Sequence, residues 1–412
     1  MTGVTTQGQR RIRSSSLRVL GALCLLCLGA PLVAQERVTR EQAKAAAVTR
    51  GPRVVVASSD TALALALLWT ARTWQNPTVS AEYTKSPPQR HLGVELPLDF
   101  PWLRSARVSA ARLAASASRY RFAVARAGAS FDADVAYTRA LAADAHADLS
   151  RRSAFEADTL LRMTVLRRDA GDASELDVQL ATVSAGQLVN DAQRDSVDAI
   201  GALLELQAVM GLAGDHPAIS LADSLALPGA GVAPTQGLTL EVAAAQADLA
   251  AEERALAFES RNVLGAPTLT AGLETGDPTG FEGGLQPAIG VSVPIPLLNR
   301  NRGPVGIARA NRDRAQARLA VAQRESAGQI ARAARERDAA LARATRGGEL
   351  VQSANRITAM SRVAYVEGAS GLAAVLEAQR NAREALGRYI DDLAAANLAA
   401  AALRLATASE MP

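Results

Sequence analysis

The residues of this chain that could perform chemistry are few and scattered. Its three histidines, His91, His146 and His216, lack the spacing of a metal site. The sequence has no Gly-x-Ser-x-Gly, phosphate-loop or metalloprotease motif. Cys24 and Cys27 lie in a segment expected to be removed, so the mature chain should hold neither thiolate sites nor disulfides. We therefore expect no enzyme, no cofactor and no bound metal.

Polar residues instead gather around two glycine turns. Acidic residues surround Gly171, and Ser174 is placed to cap the helix that follows. Ser370 is the corresponding candidate cap after Gly368. The acidic residues of the first turn are Asp169, Asp172, Glu175 and Asp177. Asp172 and Glu175 suit the partial positive charge of a helix start, so a purely local role stays open.

The elements that must position these turns occur twice. Gly93-Val94-Glu95-Leu96-Pro97 returns as Gly290-Val291-Ser292-Val293-Pro294, and the same offset of 197 residues carries Gly171 onto Gly368. A second match, 77–81 onto 267–271, shows that the second copy has the longer strand-connecting loop. We predict two structural repeats, 35–232 and 233–412, each a strand pair followed by a long helical hairpin.

The strand pairs are predicted at about 77–85 and 90–98, and at about 267–275 and 286–295. Apolar and polar residues alternate strictly, so that Val94 and Val291 face one side while Glu95 and Ser292 face the other. Each run is long enough for a tilted strand to cross a membrane. By pattern alone, four half-buried strands of a small soluble sheet would be the preferred interpretation.

The helical hairpins are predicted at about 102–210 and 304–408. The first long stretch contains Gly128 but no proline, and the second contains the Gly347-Gly348 pair as its candidate break. Shorter helices are expected within 36–75, with a turn at Gly51-Pro52, and at about 238–262. The Pro- and Gly-containing stretch 212–240 connects the copies. A plain coiled-coil rod would leave the preceding strand pairs unexplained.

The N-terminus reads as a signal peptide over residues 1–34. A basic region precedes a short apolar core, 19–28, which is too short to span a bilayer. Removing it takes away four arginines and no acidic residue, leaving 41 basic and 41 acidic residues. The neutral mature chain argues against nucleic-acid binding. We expect no transmembrane helix after this segment.

With these features in place, the chain resembles the TolC family of outer-membrane efflux proteins. Segment 289–310 is similar to the CzcC- and CusC-like heavy-metal-efflux subgroup, and Tyr365-x-x-Gly368 with Val375-Leu376-Glu377-Ala378 also fits the family. The resemblance implies a mainly α-helical homotrimer. Its 12-stranded β-barrel would sit in outer-membrane lipid of a Gram-negative-type bacterium and continue as a periplasmic α-barrel.

The resemblance further implies an efflux channel working with a periplasmic adaptor protein and an inner-membrane pump of the RND type. A gate tyrosine, Tyr365, and a luminal carboxylate, Glu377, would close the periplasmic end through charges and hydrogen bonds, with Asp177 as the first-copy counterpart. Ala374 and Ser370 depart from the family's gate pattern. The expected adaptor-contact tips are Gly171, Gly368, Asp172, Ser174 and Ser370.

Two alternatives remain at the sequence level. One is a periplasmic coiled-coil adaptor or structural protein, although an adaptor should have a single hairpin and a compact lipoyl-like domain. The other is a duct for drugs or for type I secreted proteins rather than for metal cations. Selection of cargo in such systems generally lies in the pump, so the chain does not decide between these cargoes.

Overall fold

The computed structural model describes residues 35–86, 88–229, 237–263, 265–275 and 284–409. The expected signal peptide, with Cys24 and Cys27, and much of the longer second-copy loop lie outside these residues.

The chain folds into two similar halves. The first half contains β1 (Glu36–Val38), α1 (Arg40–Arg50), α2 (Pro52–Arg72), β2 (Thr78–Tyr83), β3 (Arg90–Pro97), α3 (Pro101–Asp169), α4 (Glu175–Val209) and β4 (Ile219–Leu221). The second half contains α5 (Leu240–Arg261), β5 (Thr268–Thr275), β6 (Gln286–Ser292), α6 (Arg302–Val366) and α7 (Leu372–Ala406). Every predicted strand and hairpin is present, and each strand bound lies within three residues of the expected one.

The long helices α3 and α6 set the length of the molecule. They contain 69 and 65 residues, which at 1.5 Å per residue gives each a length of about 100 Å. The Gly347-Gly348 pair does not interrupt α6, contrary to its reading as a break. Tyr389 of α7 packs against this pair. A Cβ added to Gly347 would lie 3.1 Å from the Tyr389 ring, so glycine leaves the room that the ring needs.

Each long helix is accompanied by two shorter ones. Helix α3 packs against α2 in the half nearer the strands and against α4 in the half nearer the turns, and α6 packs in the same way against α5 and α7. Because α5 and α7 also contact α3, the two repeats join side by side. In the part of the molecule nearer the glycine turns, called the turn half below, α4 and α6 are therefore the outermost helices.

The four long strands form one antiparallel sheet in the order β2-β3-β5-β6. The strand pairs of the two repeats are thus not separate, because β3 pairs with β5 along its full length. A second, small parallel sheet of β1 and β4 was not predicted. It places the connector between repeats against the start of the described chain.

The protomer core lies beside that small sheet. Tyr137, Leu206 and Ile219 are fully buried there, together with Val38 and Met210. Elsewhere the helix contacts are made largely by alanine, which allows close helix approach in a chain with only 3% aromatic residues.

One helical region is more apolar than the sequence analysis expected. The stretch Arg40–Arg72 is long and apolar enough to cross a membrane by length and composition alone, a criterion that the core helix of a soluble protein also meets. Gly51 interrupts it, and α2 lies along α3. There Arg104 and Arg107 donate hydrogen bonds to the carbonyl groups of Arg72 and Ala71.

Candidate channel wall and helical tips

The sheet has one continuous apolar face. In its central row, Val79 pairs with Val94, Val94 with Ala271, and Ala271 with Ile289. The row nearer the helices joins Leu96, Leu269 and Val291. Ile289 and Val291 are 83% and 64% exposed. The register therefore confirms the predicted alternation, and it places apolar residues of all four strands on a side that the described residues leave uncovered.

The opposite face of the sheet is polar. A row near the strand-connecting loops joins Glu82, His91, Glu274 and Gln286. His91 Nδ1 lies 3.3 Å from Glu274 Oε1, and its Nε2 lies 3.3 Å from Thr84 Oγ1. Within the described ranges, no three His, Cys, Asp or Glu residues group as a metal site requires. Charged and polar side chains line this face without forming a ligand set.

The two glycine turns have the same geometry. Gly171 and Gly368 adopt φ of 86° and 75°, and the N–H groups that follow bond back to the ends of α3 and α6. A Cβ on either glycine would meet nothing within 4 Å. Positive φ, rather than crowding, is therefore the reason for glycine at both turns.

The helices leaving the turns are capped differently. Ser174 caps α4 as predicted: its Oγ accepts from the Asp177 N–H at 3.1 Å, and Asp177 Oδ2 accepts from the Ser174 N–H at 3.1 Å. This capping box holds Asp177 at the helix start. The prediction for Ser370 was wrong, because the cap position of α7 is Gly371 and the Ser370 hydroxyl is buried without a partner in the described chain.

The tips of the two hairpins are joined by Arg167 and Tyr365. Arg167 Nη1 donates to the Tyr365 carbonyl oxygen at 2.8 Å, and its guanidinium lies 4.7 Å from the centre of the Tyr365 ring. The ring is 5% exposed and packs with Leu160, Leu372 and Val375. Its hydroxyl has no hydrogen-bond partner in the described chain. A cation–π contact and a backbone bond thus hold the hairpins together at this level.

Glu377 lies on the exposed surface of α7. Its carboxylate accepts from Arg380 Nη2 at 2.8 Å and from Asn381 at 3.3 Å. The hydrogen bond from Arg380 is the main cause that holds the pKa of Glu377 below its ordinary value. Glu377 therefore stays ionised, with a cation beside it on the same helix.

Solved structures similar to this arrangement include outer-membrane channels. A membrane protein of Pseudomonas aeruginosa superposes with a TM-score of 0.75 at 19% identity, over 89% of this chain and 93% of that one. The Campylobacter jejuni CmeC outer membrane channel gives 0.73 at 15%, over 89% and 85%. CusC, described as forming a transmembrane channel, gives 0.72 at 15%, over 90% and 92%.

The chain has the TolC-type outer-membrane channel fold. No protein-family model matches the sequence, and no curated protein is found as a relative. CusC is no more similar to this chain than CmeC is, so the heavy-metal subgroup is not resolved by the comparison. Within this fold, the glycine turns lie at the ends of the hairpins away from the sheet.

Two arginines of the tips escaped the sequence analysis. Arg380 had a local signal, since it follows Glu377 by three residues and shares its helix face. Arg167 had only an indirect one: the repeat offset of 197 places the neighbouring Arg168 at the position of Tyr365. The repeat thus indicated that arginines lie at the level of the tyrosine, but not which one contacts it.

Proposed function

We propose that this protein is the outer-membrane channel of a tripartite efflux system, a transport protein without enzymatic activity. The supporting observation is the four-stranded sheet: within the described residues, the outer edges of β2 and β6 have no partner strand, and the apolar face is exposed. An exposed apolar face and open sheet edges are both unfavourable in a water-soluble domain, and an open edge is not tolerated in lipid. Three chains would supply twelve strands, close the barrel and turn the apolar face towards outer-membrane lipid.

The helices would form the periplasmic part of the channel. Hairpins about 100 Å long, running away from the sheet, suit a hollow α-barrel of twelve helices. We propose that their tips contact a periplasmic adaptor protein and, through it, an inner-membrane pump of the RND type. The contact residues would be Gly171, Asp172, Ser174, Gly368 and Ser370, because the turns lie farthest from the membrane strands.

The periplasmic entrance would lie just above these turns. Tyr365 and Arg167 join the two hairpins there, and Asp177 and Glu377 lie in the first two turns of the returning helices. Threefold symmetry would bring three copies of each carboxylate around one axis, and a carboxylate ring favours cations. Release of the Arg167–Tyr365 contact is the proposed opening step, since it is the described contact that joins the tips most directly.

For the cargo we propose heavy-metal cations, with drugs and secreted polypeptides as the alternatives. The support is the subgroup resemblance of segment 289–310 and a polar sheet face bearing Glu82, Glu95 and Glu274, which would face the lumen. Scattered carboxylates attract cations without holding them, as an exit channel requires. Tolerance to metal salts and to drugs, in a host lacking its own channel but supplied with the matching pump and adaptor, would separate these cargoes.

The channel itself is tested by fractionation and bilayer recording. The mature protein should appear in the outer membrane as a trimer whose gel mobility changes on heating, and it should form ion-conducting pores in planar bilayers. A soluble periplasmic monomer without conductance would contradict the proposal and would favour the adaptor or structural alternative.

A further inference from the structure

The outermost helices of the turn half, α4 and α6, each carry a second packing stripe. Helix α4 uses Val178, Ala181, Ala185 and Leu188 against α3. The opposite side of α4 repeats every three and four residues, which is the spacing of a coiled-coil seam. Its members are Leu176, Leu180, Val183, Gln187, Asn190, Arg194, Val197, Gly201 and Leu204.

This α4 stripe is exposed in the protomer. Leu176, Val183 and Val197 are 66%, 59% and 67% exposed. Apolar residues at regular seam positions on a solvent-facing helix are costly unless another helix covers them. The repetition over four heptads calls for a long helix as the occupant.

Helix α6 carries the matching stripe. It uses Ala340, Ala344, Gly347 and Tyr365 on the side towards α7 and α3. The opposite side of α6 has the same three- and four-residue spacing, and Val363 and Val366 on it are 56% and 62% exposed. Its members, read upward from the tip, are Val366, Val363, Ala359, Arg356, Gln352, Glu349, Thr345 and Ala342.

The two stripes match layer by layer when both are counted from the tips, which the Arg167–Tyr365 contact holds at one level. The tip layers are apolar on both helices, with Leu176 and Leu180 level with Val366 and Val363. The next layer joins Val183 and Ala359. The two layers above it are polar on both helices, and Asn190 is level with Gln352. Higher up, small residues meet, with Gly201 level with Ala342.

Between these layers the stripes carry opposite charges. Arg194 lies 18 residues above Leu176, and Glu349 lies 17 residues above Val366, so both are about 26 Å from the tip layer. Within the described part of its own chain, the Glu349 carboxylate has no ion pair or hydrogen bond. Arg194 has a 3.4 Å contact to Asp191 one turn away.

We propose that the occupant is a second copy of this chain, with α4 of one protomer and α6 of the next forming an antiparallel coiled coil whose register is set by Arg194 and Glu349. The α4 stripe of each protomer then contacts the α6 stripe of the next protomer, which is the head-to-tail arrangement that closes into a ring. The inference rests on the proposed trimeric channel and specifies which surfaces seal its periplasmic wall.

Charge reversal tests the pairing. Arg194→Glu or Glu349→Arg alone should lower the trimer fraction in detergent roughly tenfold, since like charges would then face each other. The double variant should recover most of it. Arg162→Glu is the control, because this exposed residue of α3 pairs with Asp158 on its own helix and lies outside the seam. Single variants with wild-type trimer content, or a double variant without recovery, would overturn the register.

Cysteine cross-linking tests the register without changing charge. Val183 and Ala359 lie eight and seven residues from the ends of their helices, so Val183→Cys with Ala359→Cys should form covalent trimers under oxidation, as a disulfide requires Cα atoms within about 7 Å. Val183→Cys with Thr345→Cys, displaced by about 21 Å, should not. A wild-type trimer without the first cross-link would overturn the seam alone, whereas a wild-type monomer would overturn the channel as well.

Discussion

At the hairpin tips, Tyr365 contributes its ring rather than its hydroxyl. The resemblance implied a gate held partly by tyrosine hydrogen bonding, but this hydroxyl is buried without a partner in the described chain. An unsatisfied buried hydroxyl costs about 1–3 kcal/mol. Tyr365→Phe should therefore leave the closed state intact, with a thermal midpoint equal to or above that of wild type.

The contact from Arg167 should matter more. Arg167→Ala removes both the 2.8 Å hydrogen bond to the Tyr365 carbonyl and the cation over the ring, and it should raise the open fraction in single-channel recordings. Arg167→Lys keeps the charge but not the planar stacking, so an intermediate result is expected. An open fraction unchanged in Arg167→Ala, or raised in Tyr365→Phe, would contradict this view of the gate.

Glu377 and Arg380 should act in opposite directions on ion selectivity. The pKa of Glu377 is held below its ordinary value by Arg380, so both groups stay charged at neutral pH and largely offset each other. Glu377→Gln should lower cation preference, and Arg380→Gln should raise it by a similar amount. Reversal potentials in a KCl gradient measure both, and equal values in the two variants would show that neither side chain faces the conducting path.

The residues of the site that sequence reasoning placed correctly are those with local signals. Gly171, Gly368 and Ser174 are defined by the chain within four residues of each turn. Ser370 failed because a serine after a glycine turn satisfies the same local pattern whether or not its hydroxyl reaches the cap. Arg167 was missed because the carbonyl it binds lies 198 residues away, and no short pattern encodes that contact.

Among the elements, the two glycine turns should accept a larger side chain without loss of folding or assembly, but efflux should be lost. Gly171→Val and Gly368→Val would place a β-branched residue at positive φ, at a cost of about 1–2 kcal/mol, although the space around each Cβ is open. We expect trimers in the membrane but little efflux, because the turn presented to the adaptor changes shape. Gly186→Ala, at an open helical position, is the control and should support normal efflux.

The strands should tolerate charge on one face only. Val94 lies in the apolar row between Val79 and Ala271, so Val94→Arg should cost roughly 2–4 kcal/mol near the bilayer midplane and reduce the heat-modifiable trimer. Glu95 is its neighbour on the polar face, and Glu95→Arg should assemble normally. Equal trimer yields from the two variants would show that the face assignment is wrong.

The major elements were predictable because each extends over many residues of one period. The alternating strands, and the long helices whose prolines lie only in the first turn, produce such signals, and the repeat supplied each twice. The strands β1 and β4 have three residues each, too short for any periodicity. The Gly347-Gly348 pair resembles a helix break in the sequence. In the structure it leaves space for the Tyr389 ring of α7, a tertiary contact that a local pattern does not show.

For the whole protomer, one buried carboxylate links segments that are distant in sequence. Asp134 of α3 is 2% exposed and pairs with Arg40 of α1 and Arg404 of α7. Beside it, the Tyr137 hydroxyl donates to Val38 and to Asp223 of the connector. The start of the described chain, the connector and the last helix therefore meet at one point of α3.

Loss of that carboxylate should loosen all three segments together. Asp134→Asn keeps the shape but leaves two arginines facing a neutral group, and breaking a buried ion pair of this kind costs about 3–5 kcal/mol. Thermal unfolding of the detergent-solubilised protein should show a clearly lower midpoint. Asp158→Asn, which removes one half of an exposed pair with Arg162, should change the midpoint little. Equal midpoints in the two variants would mean that Asp134 does not hold these segments.

The same region predicts how stability responds to alkali. Burial, followed by the hydrogen bond to Asp223, raises the pKa of Tyr137 to about 12, whereas the unfolded side chain titrates near 10. The folded state thus holds this proton more tightly. Its contribution to stability is complete below about pH 10 and is lost as pH rises towards 12. Tyr137→Phe should therefore flatten the midpoint-against-pH curve in that window relative to wild type, and parallel curves for the two proteins would assign the alkaline loss to other groups.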